Sequence, residues 1–259
     1  MRITLRPNGY AICALLAGTL VGGGFRAQTI DWLGLLALWV LVDLALGAFY
    51  TGLVHFVRLL PLADERRTDM PGELLAAVLG AGLALLIATL LGEPVAYLTQ
   101  AALALGVVVA LAAGRSPHRE AVPMLVGLQV LVAWTLGFLS VAHWQSPLLA
   151  LGVVAAIGTW CRLRDQSLSE GAGSNLPIPD RPIPDRPMLW ATRLAWAAWM
   201  GALLVARQPL LAGVVGITAL ADDLHRLTPR VMPAALLDLS WLGSWFLVAA
   251  ASSYWGMVP

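Results

Sequence analysis

"RQPLLAGVVGITALADDLHRLTPR", residues 207–230, is the stretch on which the fold turns. Its apolar run, 209–222, is short for a bilayer, whose ~30 Å hydrocarbon core takes about 20 residues of helix, with a range of roughly 17–25. The run is either a membrane span or a re-entrant dip. Arg207 precedes it, and Arg226 and Arg230 follow. Which side those two arginines occupy decides the count, so the rest of the chain has to be read first.

Composition sets the class. Of 259 residues, 59% are hydrophobic and 12% are charged, and the mean hydropathy is +0.79. Soluble domains run at about 45–50% apolar and ~25% charged. A soluble core of this size could not hide that much apolar surface, whereas a bilayer solvates it. Eight further runs then stand out, giving nine expected spans near 9–24, 30–56, 74–92, 95–113, 121–142, 146–161, 188–206, 209–222 and 234–256. All sixteen basic residues are Arg, which excludes lysine chemistry, and the net charge of +1 gives no reason to expect nucleic acid. Cys13 and Cys161 both lie in apolar runs and read as small buried hydrophobes.

Arginine settles the count. With the N-terminus in the cytoplasm and 209–222 kept as a span, thirteen arginines fall inside: Arg2, Arg6, Arg58, Arg66, Arg67, Arg115, Arg119, Arg162, Arg164, Arg181, Arg186, Arg226 and Arg230. Only Arg26 and Arg207 fall outside, and Arg193 lies a turn or so inside the seventh span. Short loops on the cytoplasmic side carry this excess. Without the eighth span, Arg226 and Arg230 would be stranded outside. The expectation is therefore an all-α, polytopic bundle of about nine transmembrane helices, N-terminus inside and C-terminus outside. It forms one domain over 1–259, and a bacterial inner membrane is its expected home.

Arg2 and Arg6 before the first run imitate a signal peptide, but the run ends in "GGGFRAQ" with no small-x-small site, so it reads as a retained helix. Trp32, Trp144 and Trp255 near outer ends, with Trp160 and Trp190 near inner ends, read as an aromatic belt. The long polar connections, 57–73, 114–120, 162–187 and 223–233, are all cytoplasmic. The tandem "IPDRPIPDRP" at 178–187 lies in the third. Five prolines from 177 to 187 favour an extended path, a stiff connector between spans six and seven.

Two of these connections carry acids among arginines. After span two come Arg58, Asp64, Glu65, Arg66, Arg67 and Asp69. If the helix continues, Glu65 and Asp69 stand at i and i+4 on one face. Two such carboxylates suit Mg²⁺, which keeps several waters and bridges to phosphate oxygens, and Arg suits phosphate bidentately. After span six come Arg162, Arg164, Asp165 and Glu170, before "GAGSN" breaks the helix. In both places, a solvated acid/Arg loop that pins topology would look the same.

That layout resembles the UbiA superfamily of membrane prenyltransferases. "LRPNGY" at 5–10 is similar to the family's entry into its first helix, "RLRDQ" at 162–166 to an Arg-Leu-x-Asp-Glu pattern, and "NLPIPDRP" at 175–182 to a Pro-rich stretch. The resemblance implies nine helices, a cytoplasmic N-terminus and Mg²⁺ at acidic motifs after helices two and six. It further implies an isoprenoid diphosphate there and an aromatic or quinonoid acceptor. Asp64, Glu65, Asp69 and Asp165 would be the catalytic carboxylates, with Glu170 as a further metal ligand. Arg58, Arg66, Arg67, Arg162 and Arg164 would contact the diphosphate. Neither family motif is intact: Glu65 replaces an Asp, and Ser169 stands where a second Asp is expected after Asp165. A non-catalytic accessory or assembly subunit, gripping a lipid, quinone or pigment beside other membrane subunits, is the alternative.

Charges within spans remain. Asp43 sits near the middle of span two, where a carboxylate costs about 2.5–3.5 kcal/mol on insertion scales and should face the bundle interior or be protonated. It is a candidate substrate contact, or a proton or ion relay in a transporter. Asp238 sits one turn inside span nine, His55 near the end of span two, and Asp222, Asp223, His225 and Arg226 close span eight. These are candidates for lining one cytoplasmic-facing cavity.

Overall fold

In a computed structural model, residues 7–23, 31–59, 70–114, 121–141, 149–171, 186–205, 207–227 and 234–255 are described. Among them the chain is helical throughout, with no strand. The helices are α1 (Pro7–Gly23); α2, a continuous rod of Trp32–Trp39, a π-helical segment Val40–Leu46 and Gly47–Leu59; α3 (Met70–Leu91); and α4 (Glu93–Gly114). They continue as α5 (Ala121–Leu139), α6 (Ala150–Gly171), α7 (Arg186–Val205), α8 (Pro209–Leu227) and α9 (Ala234–Trp255). Each coincides with one of the nine apolar runs. The main difference is at α6, which carries the helix ten residues past the apolar run to Gly171 and so takes Arg162 and Arg164 out of the loop and into the bundle.

Local chemistry sets the ends. Pro7 and Pro209 open helices where a missing N–H costs nothing, and Gly23, Gly114 and Gly171 close them. Asp31 caps α2 by accepting from the Leu33 N–H at 3.1 Å. Between α3 and α4 the chain reverses at Gly92, whose φ of 117° is open to glycine and strained for other residues. Between α7 and α8, Arg207 takes the left-handed conformation at φ 55°, and the N–H groups of Arg207 and Gln208 return to the carbonyls of Leu204 and Leu203, each at 2.9 Å.

Four stretches are long and apolar enough to cross a membrane: 32–57, 72–91, 93–112 and 121–139. Their burial separates them. The α5 stretch is 72% buried and the two of the α3–α4 hairpin are each 22% buried, so α5 is central and the hairpin peripheral. α1 packs most extensively along α5, then on α9; α6, α7, α8 and α9 follow one another in contact, while α2 packs on α3 and α4. Glycines allow the closest approaches. A Cβ at Gly137 would strike the Leu15 carbonyl of α1, and one at Gly80 would lie 2.6 Å from the Phe49 nitrogen of α2. The hairpin presents Leu75, Val78, Leu79, Leu86 and Leu90 outward. Such an apolar face suits a lipid surface or a partner protein.

Candidate functional site

The strongest concentration of polar chemistry among the described residues lies where α1, α6, α7, α8 and α9 meet. Arg162 on α6 is 5% exposed. One terminal nitrogen donates to Asp222 Oδ1 of α8 at 3.0 Å, the other to Asp238 Oδ1 of α9 at 3.3 Å. The Trp196 indole of α7 donates to the second Asp222 oxygen at 3.3 Å. The Tyr10 ring of α1 stands beside Asp238 and Arg162. Four helices, α6 to α9, are thereby tied at one level by a cation between two carboxylates, with α1 alongside. Breaking such a buried arrangement by removing one partner is costly, because it leaves a charge uncompensated out of water. At the neighbouring edge, Arg193 donates to Asp223 at 3.1 Å and lies over Trp190, with both partners of the pair partly exposed.

Against this cluster lies a packed aromatic centre. Trp134, Trp199, Trp241 and Trp245 are fully buried and Trp196 nearly so. Trp196 and Trp241 meet edge to face at 4.8 Å, and Trp241 meets Trp199 and Trp245, each at 6.1 Å. Trp134 bridges Trp199 at 5.9 Å and Trp245 at 6.1 Å. These are the separations at which the positive edge of one ring meets the negative face of another. Room comes from glycine: Gly158 lies under the Trp241 ring, and a Cβ at Gly152 would come within 2.7 Å of Trp134. The Trp241 indole donates to Thr159 Oγ1 at 3.2 Å. Trp134, Trp199, Trp241 and Trp245 are thus closed off from water between α5, α6, α7 and α9.

The sequence-predicted residues divide three ways. Asp64, Glu65, Arg66, Arg67 and Asp69 lie outside the described residues, as does most of the proline repeat. Arg58, Asp165 and Glu170 are on described helix, α2 or α6, with side chains outside the description. Of the rest, Arg162 is the centre of the buried cluster, Arg164 is half-buried and engaged, and Asp43 is buried in the π-helical segment of α2. Asp222 and Asp238 are brought together, as a shared polar site requires, whereas His55 of α2 is exposed. Among the described residues no three His, Cys, Asp or Glu side chains group closely enough to hold a metal ion, so the Mg²⁺ expectation rests on residues 64–69 and 165–170.

Two features escape the sequence reading. Arg162 follows an apolar run and reads as the first loop residue, although Asp222 and Asp238, each a charge at the end of a span, imply a missing cation. The tryptophan centre is signalled by Trp196/Trp199 and Trp241/Trp245, pairs spaced to share a helix face. The chain matches no family model, and no curated protein or solved structure matches it.

Proposed function

We propose that the chain is a nine-span protein of the bacterial inner membrane, N-terminus inside, built on a UbiA-like plan. In this reading it serves as a non-catalytic accessory or assembly subunit that holds an isoprenoid or other lipidic ligand. The observation that carries the reading is the state of Arg162. Its terminal nitrogens bond Asp222 and Asp238, so its charge is answered by carboxylates of the protein itself, without a diphosphate. Beside it, where a substrate chamber would need open space, stand four fully buried tryptophans. The altered acidic motifs, Glu65 for Asp and Ser169 for Asp, point the same way.

A second reading, the Mg²⁺-dependent prenyltransferase, is favoured by the acid-and-arginine clusters that follow spans two and six. In that case Glu65 and Asp69, with Asp64 and Asp165, would hold Mg²⁺, which supplies charge for a departing diphosphate. Arg58, Arg66 and Arg67 would take its oxygens, and an aromatic acceptor would capture the allylic cation. Electrostatic stabilisation of the leaving group would be the main catalytic effect.

Purified full-length protein with Mg²⁺ and a labelled polyprenyl diphosphate separates the two. The accessory reading expects no transfer to any aromatic acceptor and no diphosphate release, with isoprenoid or quinone lipid co-purifying. Mg²⁺-dependent diphosphate binding followed by transfer, abolished in Glu65→Gln, would establish the enzyme instead.

A further inference from the structure

One ionisable group lies apart from the arginine cluster and is used by neither reading above. Asp43 sits in the π-helical segment of α2, inside the apolar stretch 32–57. Eleven residues separate it from Trp32 and sixteen from Leu59, which at 1.5 Å per residue places it ~17 and ~24 Å from the two ends. It is 8% exposed, and its Oδ1 has no hydrogen-bond partner. The indole of Trp39, one turn earlier, stands beside the carboxyl group.

Among the described residues, the surroundings hold no counter-charge. α5, packed on the segment, has no titratable residue; α3 has Glu73 in its first turn, and α1 has Tyr10 and Cys13. Tyr10 belongs to the Arg162 cluster. Glu73 lies level with Gly52, since a Cβ there would meet the Glu73 carbonyl at 2.8 Å, nine residues and ~13 Å along the helix from Asp43. On α2 itself, Asp31, Tyr50, His55 and Arg58 are all at least seven residues away. An acid so placed is costly as an anion and compatible with the interior as a neutral acid.

Backbone and position add to this. A π-helical stretch departs from the i→i−4 ladder, and short π segments are frequent at functional sites. Here the Gln129 amide of α5 donates to the Val42 carbonyl at 2.7 Å, a side-chain bond spent on holding the irregular turn. Asp43 also borders the lipid: Leu36 and Leu44 flank its stripe at 51% and 53% exposed, and Trp39 is 36% exposed. We propose that Asp43 is a proton-binding site at the lipid-facing edge of the bundle, held by the π-helical segment of α2 and covered by Trp39.

The test uses the intact chain in lipid vesicles and a hydrophobic carbodiimide. The reagent adds to a protonated carboxyl, the acid proton moving to a carbodiimide nitrogen, and the adduct rearranges to an N-acylurea with nothing expelled. Mass spectrometry is expected to find the adduct on Asp43, with labelling that falls as pH rises and does not respond to Na⁺ at fixed pH. Infrared difference spectra are expected to show a protonated-acid carbonyl band that is absent from Asp43→Asn. A carboxylate signature at Asp43 across the accessible pH range would overturn the proposal whatever the reagent reaches. Protection by Na⁺ at constant pH would overturn it too, by making the occupant a metal cation.

Discussion

Arg162 shows how far one side chain can commit a structure. Its guanidinium lies between Asp222 and Asp238, all three nearly inaccessible to water. Removing one member of a buried pair leaves the others uncompensated, at a cost of about 3–5 kcal/mol. Arg162→Ala is therefore expected to lower the thermal midpoint of the detergent-solubilised protein sharply. Arg193→Ala breaks the half-exposed pair with Asp223 and should cost less than about 1 kcal/mol. Equal losses in the two variants would mean that the buried cluster contributes nothing special. Glycine gives a second contrast. Gly158→Ala drives a methyl into the Trp241 ring, an overpacking of about 1–3 kcal/mol. A Cβ at Gly201 meets nothing within 4 Å, so Gly201→Ala should stabilise by about 0.5–1 kcal/mol through helix propensity. At this scale legibility was partial. Charges inside apolar runs mark Asp43, Asp222 and Asp238 as needing partners, but a residue just past a run, such as Arg162, has no such mark when the helix continues beyond its apolar part.

The nine helices themselves were legible, since an uncharged run of bilayer length can satisfy its backbone in lipid only as a helix. What the pattern does not carry is the way they pack. The helices are apolar on most faces, so no stripe says which neighbour each will choose. That α1 runs along α5, and that α5 is the buried hub, follows from glycine contacts such as Gly18 on Trp134 and Gly137 on Leu15. The π-helical segment of α2 is equally silent in the sequence, because "VLVDLAL" is as good an α-helix as its flanks. Its support can be probed at Gln129. Gln129→Leu removes the donor to the Val42 carbonyl and leaves a buried acceptor unmet, a loss of about 1–3 kcal/mol. Hydrogen exchange in α2 should rise around residues 40–46 and stay unchanged in α9. Uniform loosening of the whole bundle would show that Gln129 acts on general packing instead.

Over the whole molecule the two halves of the bundle differ in kind. α5 to α9 with α1 enclose charge and tryptophan, while the α3–α4 hairpin is turned to its solvent. The unequal burial and exposed leucines of the four long apolar helices suit a membrane; the function proposed above adds, from the arginine count, nine crossings with the long polar connections in the cytoplasm. Every functional reading above depends on that arrangement, because the clusters at 64–69 and 162–170 share a compartment only if both face inward. The disputed stretch 209–222 is the weakest link by length, yet its helix runs from Pro209 to Leu227, about 28 Å at 1.5 Å per residue and close to the ~30 Å hydrocarbon core. Sidedness can be read directly in cells. With Cys13 and Cys161 replaced by Ala, single cysteines are placed at Gln145, Ser174 and Thr228 and exposed to a membrane-impermeant maleimide. Gln145→Cys is expected to label in intact cells, and Ser174→Cys and Thr228→Cys only after the membrane is opened. Labelling of Thr228→Cys from outside would remove the eighth span and contradict the nine-span bundle.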